Sequence, residues 1–187
     1  MSNIRLERIN DDNFYAITKL RTKKEQKDFV ADNKYSLIHA YLEVIKNRPV
    51  FPFGIFDEDK PVGFLMITYD AFSDREIPAG HEKYVRNTYM IWRLMIDGRY
   101  QGKGYGREAM KLALDFIRTF PCGESEYCWL SYDMKNEGAR ALYRSFGFVE
   151  QLTESCTDCR IVCRVQNAIQ VNLFDQLCEE QGIGSGA

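Results

Sequence analysis

Long apolar runs are missing from this chain of 187 residues, in which no stretch reaches the roughly 18 apolar residues of a membrane-spanning helix. The first seven residues also lack the basic, apolar and small-residue order of a secretory signal. These absences predict a cytoplasmic protein without a membrane partner.

The chain also has a small net charge and few histidines. The 25 basic residues nearly balance the 27 acidic ones, so the net charge is −2 and supplies no global basic field for nucleic acid. The two histidines, His39 and His81, lie far from the cysteine cluster Cys156, Cys159 and Cys163. Structural zinc sites usually need four nitrogen or sulfur ligands. We therefore expect neither a nucleic-acid partner nor a metal, and we interpret the cluster as ordinary hairpin cysteines.

What is present is an ordinary globular composition, with 45% hydrophobic and 28% charged residues. The length suits one domain and leaves no room for a second catalytic domain. We place this domain at residues 4–166. Residues 167–187 form a C-terminal extension with Val171, Phe174 and Leu177 at helical spacing, which we expect to dock on the domain or on a second subunit and to fray at its end. A homodimer is therefore possible.

Three glycines at alternate positions, Gly102, Gly104 and Gly106, separate a strand-like run from a helix-like run. The strand is predicted at 90–96, and the helix carries apolar residues at i, i+3, i+4, i+7 and i+8 from Ala109. Glycines allow a phosphate to reach backbone N–H groups at the start of a helix. This segment predicts an anion site; the alternative is a tight turn without a ligand.

The remaining patterns predict the element order β-α-α-β-β-β-α-β-α-β-β, a mixed α/β (α+β) sheet with helices on both faces. One helix is expected to bury Phe14, Ile17 and Leu20. Segment 70–86 is rich in charge, proline and glycine and is predicted to be a mobile loop. The second helix, 35–45, is expected to pack through one apolar face, made of Leu37, Ile38, Tyr41, Leu42 and Ile45.

Two motifs identify a family resemblance. Gln101-x-x-Gly104-x-Gly106 resembles the acyl-CoA pyrophosphate loop of the GNAT superfamily of acetyl-CoA-dependent N-acetyltransferases. A second segment resembles Asn-x-x-Ala-x-x-Leu-Tyr-x-x-x-Gly-Phe of the same family, and its matching positions are Asn136, Ala139, Leu142, Tyr143, Gly147 and Phe148. The resemblance covers roughly residues 4–166 and implies a central strand pair that splays apart.

The resemblance also implies roles for particular residues. Tyr143 would be the acid that protonates the leaving thiolate, since a phenol stays protonated at neutral pH. Asn136 would either contact the cofactor or only cap its helix. Backbone groups along the central strand and the glycine loop would bind acetyl-CoA, and Lys103 or Arg107 would add positive charge beside the diphosphate. The other cofactor-binding residues that the resemblance implies are Leu94, Met95, Ile96, Gln101, Gly102, Gly104, Tyr105 and Gly106.

The general base is less evident, because Met90 and Trp92 occupy positions where some relatives carry Glu or His. Deprotonation would run through waters to a carboxylate such as Asp97, or the amine would arrive neutral.

The acceptor is indicated by the segment Gln26–Tyr41. It resembles Asn-Gln-x-x-Phe-Val-x-x-Asn-x-x-Ser-Leu-x-x-Ala-Tyr of bacterial spermidine/spermine acetyltransferases, with Glu25 where Asn is usual. A polyamine needs carboxylates and aromatic rings around its charges, and the proposed substrate-binding residues are Glu25, Asp28, Asp32 and Trp92. Two alternatives remain: acetylation of another amine, such as an aminoglycoside, an amino acid or a protein N-terminus, or a non-catalytic acyl-CoA-binding module.

Overall fold

Seven strands form one mixed sheet in the computed structural model, which describes residues 3–71, 82–151 and 158–165. The strands are β1 (Ile4–Arg8), β2 (Val50–Asp57), β3 (Lys60–Tyr69), β4 (Tyr89–Ile96), β5 (Tyr127–Asp133), β6 (Val149–Gln151) and β7 (Asp158–Arg164). The helices are α1 (Phe14–Lys19), α2 (Asn33–Ile45), α3 (Glu82–Val85), α4 (Tyr105–Arg118) and α5 (Glu137–Arg144), with a 3₁₀ turn at Lys24–Gln26. The predicted α/β class is confirmed, and the predicted elements occur in the expected order with the short helix α3 as an addition.

The strand order is β1-β2-β3-β4-β5-β7-β6, and every neighbouring pair is antiparallel except β4 and β5. Parallel neighbours need a crossover connection, and α4 provides it. The glycine loop therefore lies between the C-terminal end of β4 and the start of α4. This is the end of an α/β unit at which ligands commonly bind.

Helices cover both faces of the sheet, as predicted. On one face Ala109, Ala113 and Ile117 of α4 pack into the main core. On the opposite face Ile17, Leu20 and Ala40 of α1 and α2 pack against β3 and β4 in a second core. Because both of its faces are covered, β3 is buried over seven successive residues, 62–68.

The central strand pair splays apart. Strands β4 and β5 pair only at Tyr89 with Cys128 and at Met90 with Trp129, although β4 continues to Ile96. An irregularity in the β3–β4 register leaves Trp92 as the extra residue between Ile91 and Arg93. Such a bulge bends its strand and increases the local twist. The backbone of β4 that faces β5 is thus left open over residues 91–96.

Helix α2 packs in the opposite orientation from our prediction. Its buried residues are polar or small, namely Asn33, Ser36, Ala40 and Glu43. Of the apolar face that we expected to pack, Leu37 packs against the second core, whereas Ile38, Tyr41, Leu42 and Ile45 are turned outward and are between 44% and 65% exposed. A buried hydrogen bond between the two helices supports this orientation. Asn33 Nδ2 of α2 donates to the carbonyl of Ile17 in α1 at 2.8 Å.

Two smaller expectations also need correction. Phe14 is 41% exposed, so α1 buries Ile17, Thr18 and the following Leu20 without it. Within the predicted loop 70–86, residues 82–85 form the single turn of α3. Residues 72–81 of that loop lie outside the described residues.

The C-terminal extension and Cys156 also lie outside the described residues, so the domain boundaries remain a prediction. In the described part of the chain, no helix is long and apolar enough to cross a membrane. No group of three or more metal-ligating side chains comes together in residues 3–71, 82–151 and 158–165.

Candidate active site

The gap between β4 and β5 opens into a cavity of about 510 Å³. One wall is the unpaired edge of β4, and the opposite wall is the end of β5 with α5. The glycine loop closes one end, and the connection between α1 and α2 borders the other side. Its lining includes Gln26, Asp28, Phe29, Trp92, Arg93, Leu94, Met95, Ile96, Gln101, Gly102, Gly104, Tyr105, Gly106, Tyr132, Asn136 and Tyr143. Two separate motifs of the sequence thus meet in one cavity.

The glycine loop is shaped for an anion. Gly102 and Gly104 have φ values of +79° and +83°, a conformation that favours glycine. A Cβ atom at either position would meet nothing within 4 Å, so both glycines face open space. In the described part of the chain, the backbone N–H groups of Gly104, Tyr105 and Gly106 have no acceptor. These amides lie at the start of α4, where the helix dipole favours negative charge.

Two side chains hold the loop in place. Gln101 Nε2 donates to the carbonyl of Ile96 at 2.9 Å and to Gln26 Oε1 at 2.8 Å. The Tyr105 hydroxyl donates to Asp57, and this hydrogen bond raises the pKa of the phenol. Gln101 therefore links the loop both to β4 and to the segment on the acceptor side.

The two basic residues that we assigned to the loop do not line the cavity. Lys103 Nζ lies 5.6 Å from the ring centre of Tyr100, and the Arg107 guanidinium lies 5.6 Å from that of Phe146. Arg107 Nη2 also donates to Ser145 Oγ at 3.2 Å. Both cations lie beside the cavity rather than in it, because aromatic rings hold their side chains there.

Tyr143 lies on α5 and is buried while lining the cavity. Its ring packs edge-on against Tyr132 at 5.7 Å and near Phe148 at 6.1 Å. Burial raises the pKa of the Tyr143 phenol to about 12. The hydroxyl donates to no residue in the described part of the chain. It is therefore a protonated donor at neutral pH with no partner of its own among those residues.

Asn136 caps its helix, and contact with the cofactor stays a prediction. Its side chain accepts from the backbone N–H of Ala139 at 3.1 Å and so caps α5, while the residue also lines the cavity. A cap of this kind typically stabilises a helix by about 1 kcal/mol. Asn136 therefore helps to hold in place the helix that carries Tyr143.

A charged cluster around Glu150 fixes α5 to the sheet. Glu150 accepts from Arg140 Nε at 2.7 Å and from the Tyr132 hydroxyl at 3.0 Å, and Arg144 Nη2 lies 3.0 Å from the same carboxylate. The hydrogen bond from Arg140 is the main reason that the pKa of Glu150 falls to about 2. Arg140 and Arg144 lie one turn apart on α5, on either side of Tyr143 along the chain. The sequence motifs gave no signal for this positioning role.

We expect the substitution Glu150→Gln to lower kcat about tenfold, because Tyr143 would be held less firmly relative to the cavity. The KM for acetyl-CoA should change less than twofold, since the glycine loop is untouched. Steady-state kinetics would measure both values. Because the pKa of Glu150 is lowered, its contribution is present above about pH 4.5 and is lost only as pH falls toward 2. The loss of kcat in the variant should thus be constant from pH 6 to 9. A loss that appeared only at one end of this range would contradict the positioning role of Glu150.

The acceptor side of the cavity is built around Trp92. His39 of α2 packs on its ring at 5.7 Å, and Tyr35 packs on His39 at 4.3 Å. The Arg93 guanidinium lies 5.1 Å from the Trp92 ring centre, and its Nη1 donates to the Trp92 carbonyl at 2.8 Å. Burial lowers the pKa of Arg93. Its buried Nε has no acceptor, and no carboxylate in the described part of the chain pairs with it.

Only one of the three proposed carboxylates reaches the cavity. Asp28 is exposed and lines it, next to Phe29. Glu25 is exposed on the 3₁₀ turn and does not line it. Asp32 is the N-cap of α2, where its side chain accepts from the backbone N–H of Tyr35 at 2.8 Å. Our assignment of Glu25 and Asp32 to the substrate is not supported, because sequence proximity to the cleft did not determine which way each side chain points.

Asp97 is also unsuited to the role of base that we considered. Its buried carboxylate accepts from the backbone N–H groups of Arg21 and Arg99 at 3.0 Å each and from Arg99 Nε at 2.8 Å. Burial alone would raise the pKa of Asp97, but these hydrogen bonds outweigh it and lower the pKa. Asp97 therefore joins the end of β4 to the segment after α1 as a structural anion.

Sequence reasoning missed several residues that line the cavity. Phe29, Val30 and Ala31 fall in the connection between α1 and α2, and Ser131, Tyr132 and Asp133 fall at the end of β5. The match between Gln26–Tyr41 and polyamine acetyltransferases was the only signal for the first group. The second group follows from the splay, since the end of β5 must face the open edge of β4.

Known proteins share this architecture. The acetyltransferase (GNAT) family matches residues 11–148, so the chain belongs to the GNAT acetyltransferase family and is an acetyl-CoA-dependent acetyltransferase. It is 31% identical over 146 residues to the spermine/spermidine N(1)-acetyltransferase of Bacillus subtilis, covering 78% of this chain and 87% of that protein.

Solved structures have the same fold. The spermidine N-acetyltransferase from Vibrio cholerae, in complex with CoA and spermine, superposes with a TM-score of 0.62 at 18% identity, covering 89% of this chain and 98% of that one. The PaiA N-acetyltransferase from Thermoplasma acidophilum, in complex with coenzyme A, superposes with a TM-score of 0.60 at 14% identity, covering 87% of this chain and 99% of that one. Our prediction of the family is confirmed.

The cavity fits acetyl-CoA. The open glycines and the unpaired amides at the start of α4 can hold a diphosphate, and the unpaired edge of β4 can pair with the amide groups of pantetheine. A volume of about 510 Å³ lies in the range of small-molecule sites.

Proposed function

We propose that this acetyltransferase acts on a primary amine of a polyamine such as spermidine or spermine, by direct attack of the amine on the thioester. The observation that carries the proposal is the 31% identity over 146 residues to a spermine/spermidine acetyltransferase. Two features of the cavity agree with it. Asp28 supplies a carboxylate at the cavity, and Trp92 supplies an aromatic face for a cation.

In the proposed mechanism the glycine loop binds the diphosphate through the backbone N–H groups of Gly104, Tyr105 and Gly106. Gln101 keeps the loop against the end of β4. When bound, acetyl-CoA supplies an activated acetyl group as a thioester. The free edge of β4 at residues 94–96 orients that group and offers backbone N–H donors to the carbonyl oxygen.

Tyr143 is the proposed general acid. Its phenol borders the same cavity, has no partner in the described part of the chain, and keeps its proton at neutral pH because burial raises its pKa to about 12. A donor of this kind can protonate the sulfur as the carbon–sulfur bond breaks, and the proton that the amine nitrogen loses on forming the amide restores the phenol by way of solvent. CoA therefore leaves the site as a neutral thiol rather than as a thiolate.

The amine must be neutral to attack, and no described carboxylate or histidine lies where a base is expected on β4. Arg93 offers a different solution. A half-buried cation without a carboxylate partner in the described part of the chain disfavours a second positive charge beside it. We infer that Arg93 favours the neutral form of the amine that enters the cavity, while Asp28 attracts the charged remainder of the polyamine.

An amine panel tests the proposed substrate. With thiol release as the readout, kcat/KM for spermidine or spermine should exceed that for a monoamine of similar length by at least about fivefold, since one further ammonium near a carboxylate adds about 1 kcal/mol or more. Asp28→Asn should reduce the preference, with Glu25→Gln as the matched control. Equal rates with the monoamine, or faster turnover of an aminoglycoside or an amino acid, would contradict the assignment.

We also propose that the enzyme works in the cytoplasm on a small-molecule amine. A net charge of −2 supports the absence of a nucleic-acid partner and of attraction to anionic membranes.

A further inference from the structure

The connection between α1 and α2 is attached to the end of β4 where the connection begins. The backbone N–H of Arg21 donates to Asp97 Oδ2 at 3.0 Å, and the backbone N–H of Gly98 donates to the carbonyl of Arg21 at 2.8 Å. Gly98 also packs so closely on Lys23 that a Cβ atom at residue 98 would lie 3.0 Å from Lys23 Cγ. The acceptor side and the end of β4 are therefore in direct contact just before the glycine loop.

One side-chain contact joins the same connection to the glycine loop itself. Gln101, the first residue of the loop motif, donates from Nε2 to Gln26 Oε1 at 2.8 Å and to the carbonyl of Ile96 at 2.9 Å. Both glutamines are half-buried and line the cavity. In the described part of the chain, no other hydrogen bond joins residues 101–106 to residues 24–31. We call it the Gln26–Gln101 contact.

Gln26 also begins a tight turn that carries Asp28. The backbone N–H of Gln26 donates to the carbonyl of Lys23 at 2.9 Å, and the carbonyl of Gln26 accepts from the backbone N–H of Phe29 at 3.1 Å. Asp28 lies between Gln26 and Phe29, and all three residues line the cavity. The Asp28 carboxylate accepts no hydrogen bond from the described residues. Its position at the cavity is therefore set by the turn.

The turn is in this way connected to the site of the diphosphate. The backbone amides of the loop can hold a diphosphate through several N–H donors at once, and such binding restricts the loop. The Gln26–Gln101 contact passes this restriction to the turn that carries Asp28. Two binding sites joined by such a contact share a coupling free energy, which acts equally in both directions.

We propose that Gln26 is a positioning residue that couples the glycine loop to the acceptor wall, so that an occupied loop holds Asp28 in place for the acceptor amine. The consequence for a polyamine rests on the proposed function, whereas the coupling between the two segments does not. One neutral hydrogen bond typically changes an equilibrium by about fivefold. We therefore expect a coupling factor of about that size.

Calorimetric titrations with CoA and spermidine measure the coupling without turnover, because CoA carries no acetyl group. In the wild type, the Kd of spermidine should be about fivefold lower with CoA than without it. Gln26→Leu keeps the size of the side chain but removes the acceptor oxygen, so this ratio should fall below about twofold. The Kd of CoA alone should change less than about twofold. If the amine panel favours another amine, the titration uses that amine.

Three further variants make the test specific. Gln26→Glu keeps a side-chain oxygen that can accept from Gln101 Nε2, so it should keep the wild-type ratio. Glu25→Gln lies on the same 3₁₀ turn without lining the cavity, and it should also leave the ratio unchanged. The double variant Gln26→Leu with Gln101→Leu should have the same ratio as Gln101→Leu alone, because both substitutions remove one contact.

Hydrogen exchange tests the coupling without any amine. CoA should slow the exchange of backbone amides in residues 26–31 of the wild type, and it should slow them less in Gln26→Leu. Protection of the glycine loop should be the same in both proteins. An enzyme that prefers an amine other than a polyamine would contradict the proposed substrate and leave this comparison intact.

Two results would overturn the proposal. The first is a Gln26→Leu variant whose coupling ratio equals that of the wild type. The second is exchange in residues 26–31 that CoA leaves unchanged in the wild type, or slows equally in both proteins. Either result would mean that Gln26 and Gln101 only pack against each other.

Discussion

Replacing Tyr143 with phenylalanine lowers kcat about 100- to 1,000-fold, because the substitution removes a buried, protonated phenol that borders the cavity without a partner in the described residues. The ring contacts with Tyr132 and Phe148 survive in phenylalanine, so the fold and the acetyl-CoA affinity should be unchanged. Steady-state kinetics and isothermal titration calorimetry would measure the two effects separately.

The pH dependence sharpens this prediction. Because the pKa of Tyr143 is raised to about 12, the phenol is protonated across the range from pH 6 to 10. The wild type should therefore show no alkaline loss of activity from this residue in that range, and the variant should be slower by a constant factor.

A buried tyrosine elsewhere is the control. The Tyr89 hydroxyl donates to the carbonyl of Gly123 at 3.0 Å and accepts from the backbone N–H of Cys122 at 2.9 Å. Tyr89→Phe should lower the free energy of unfolding by about 1–2 kcal/mol and leave kcat alone. A Tyr143→Phe enzyme with wild-type kcat would show that the phenol only anchors α5.

Replacing Gly104 with alanine should raise the dissociation constant of acetyl-CoA by about 30-fold or more. The new methyl group would point into the open space of the glycine loop, where a Cβ atom meets nothing within 4 Å. It would obstruct a phosphate in that space, and losing one charge-assisted hydrogen bond costs roughly 1.5–3 kcal/mol. Alanine at a φ of +83° adds about 1–2 kcal/mol of backbone strain.

A variant at Gly123 distinguishes the effect of backbone strain from the effect on ligand binding. It also has a positive φ, +136°, but it packs near the Tyr69 hydroxyl, away from the glycine loop. Gly123→Ala should therefore destabilise the fold without changing the affinity for acetyl-CoA, as measured by titration calorimetry and thermal melts. Equal losses of affinity in both variants would mean that the Gly104 effect comes from strain alone.

Much of the fold was predictable because local patterns and motifs agreed. The alternation of strands and helices, the glycines before α4 and the segment around Tyr143 together indicated the family and the splayed pair. Prediction failed where the outcome depended on which way a helix face or a side chain points. The apolar pattern of α2 indicated the right helix but the wrong packing face, because a buried hydrogen bond from Asn33 to the carbonyl of Ile17 holds the polar face against α1.

The site shows the same division. Backbone features such as the glycine loop follow from residue types at fixed spacing, so they could be located in the sequence. The roles of individual side chains could not be predicted from the sequence. Asp32 caps a helix and Lys103 lies near the ring of Tyr100, whereas Glu150 holds α5 from a strand that no motif includes.

By itself, the sequence determined the element order, the position of the glycine turn and the identity of the acid candidate, because each depends on neighbours along the chain. Tertiary structure alone decided which carboxylate faces the cavity, which side of α2 is outward and that Arg93 has no carboxylate partner among the described residues. These outcomes depend on contacts between segments far apart in sequence, and local spacing carries no information about such contacts.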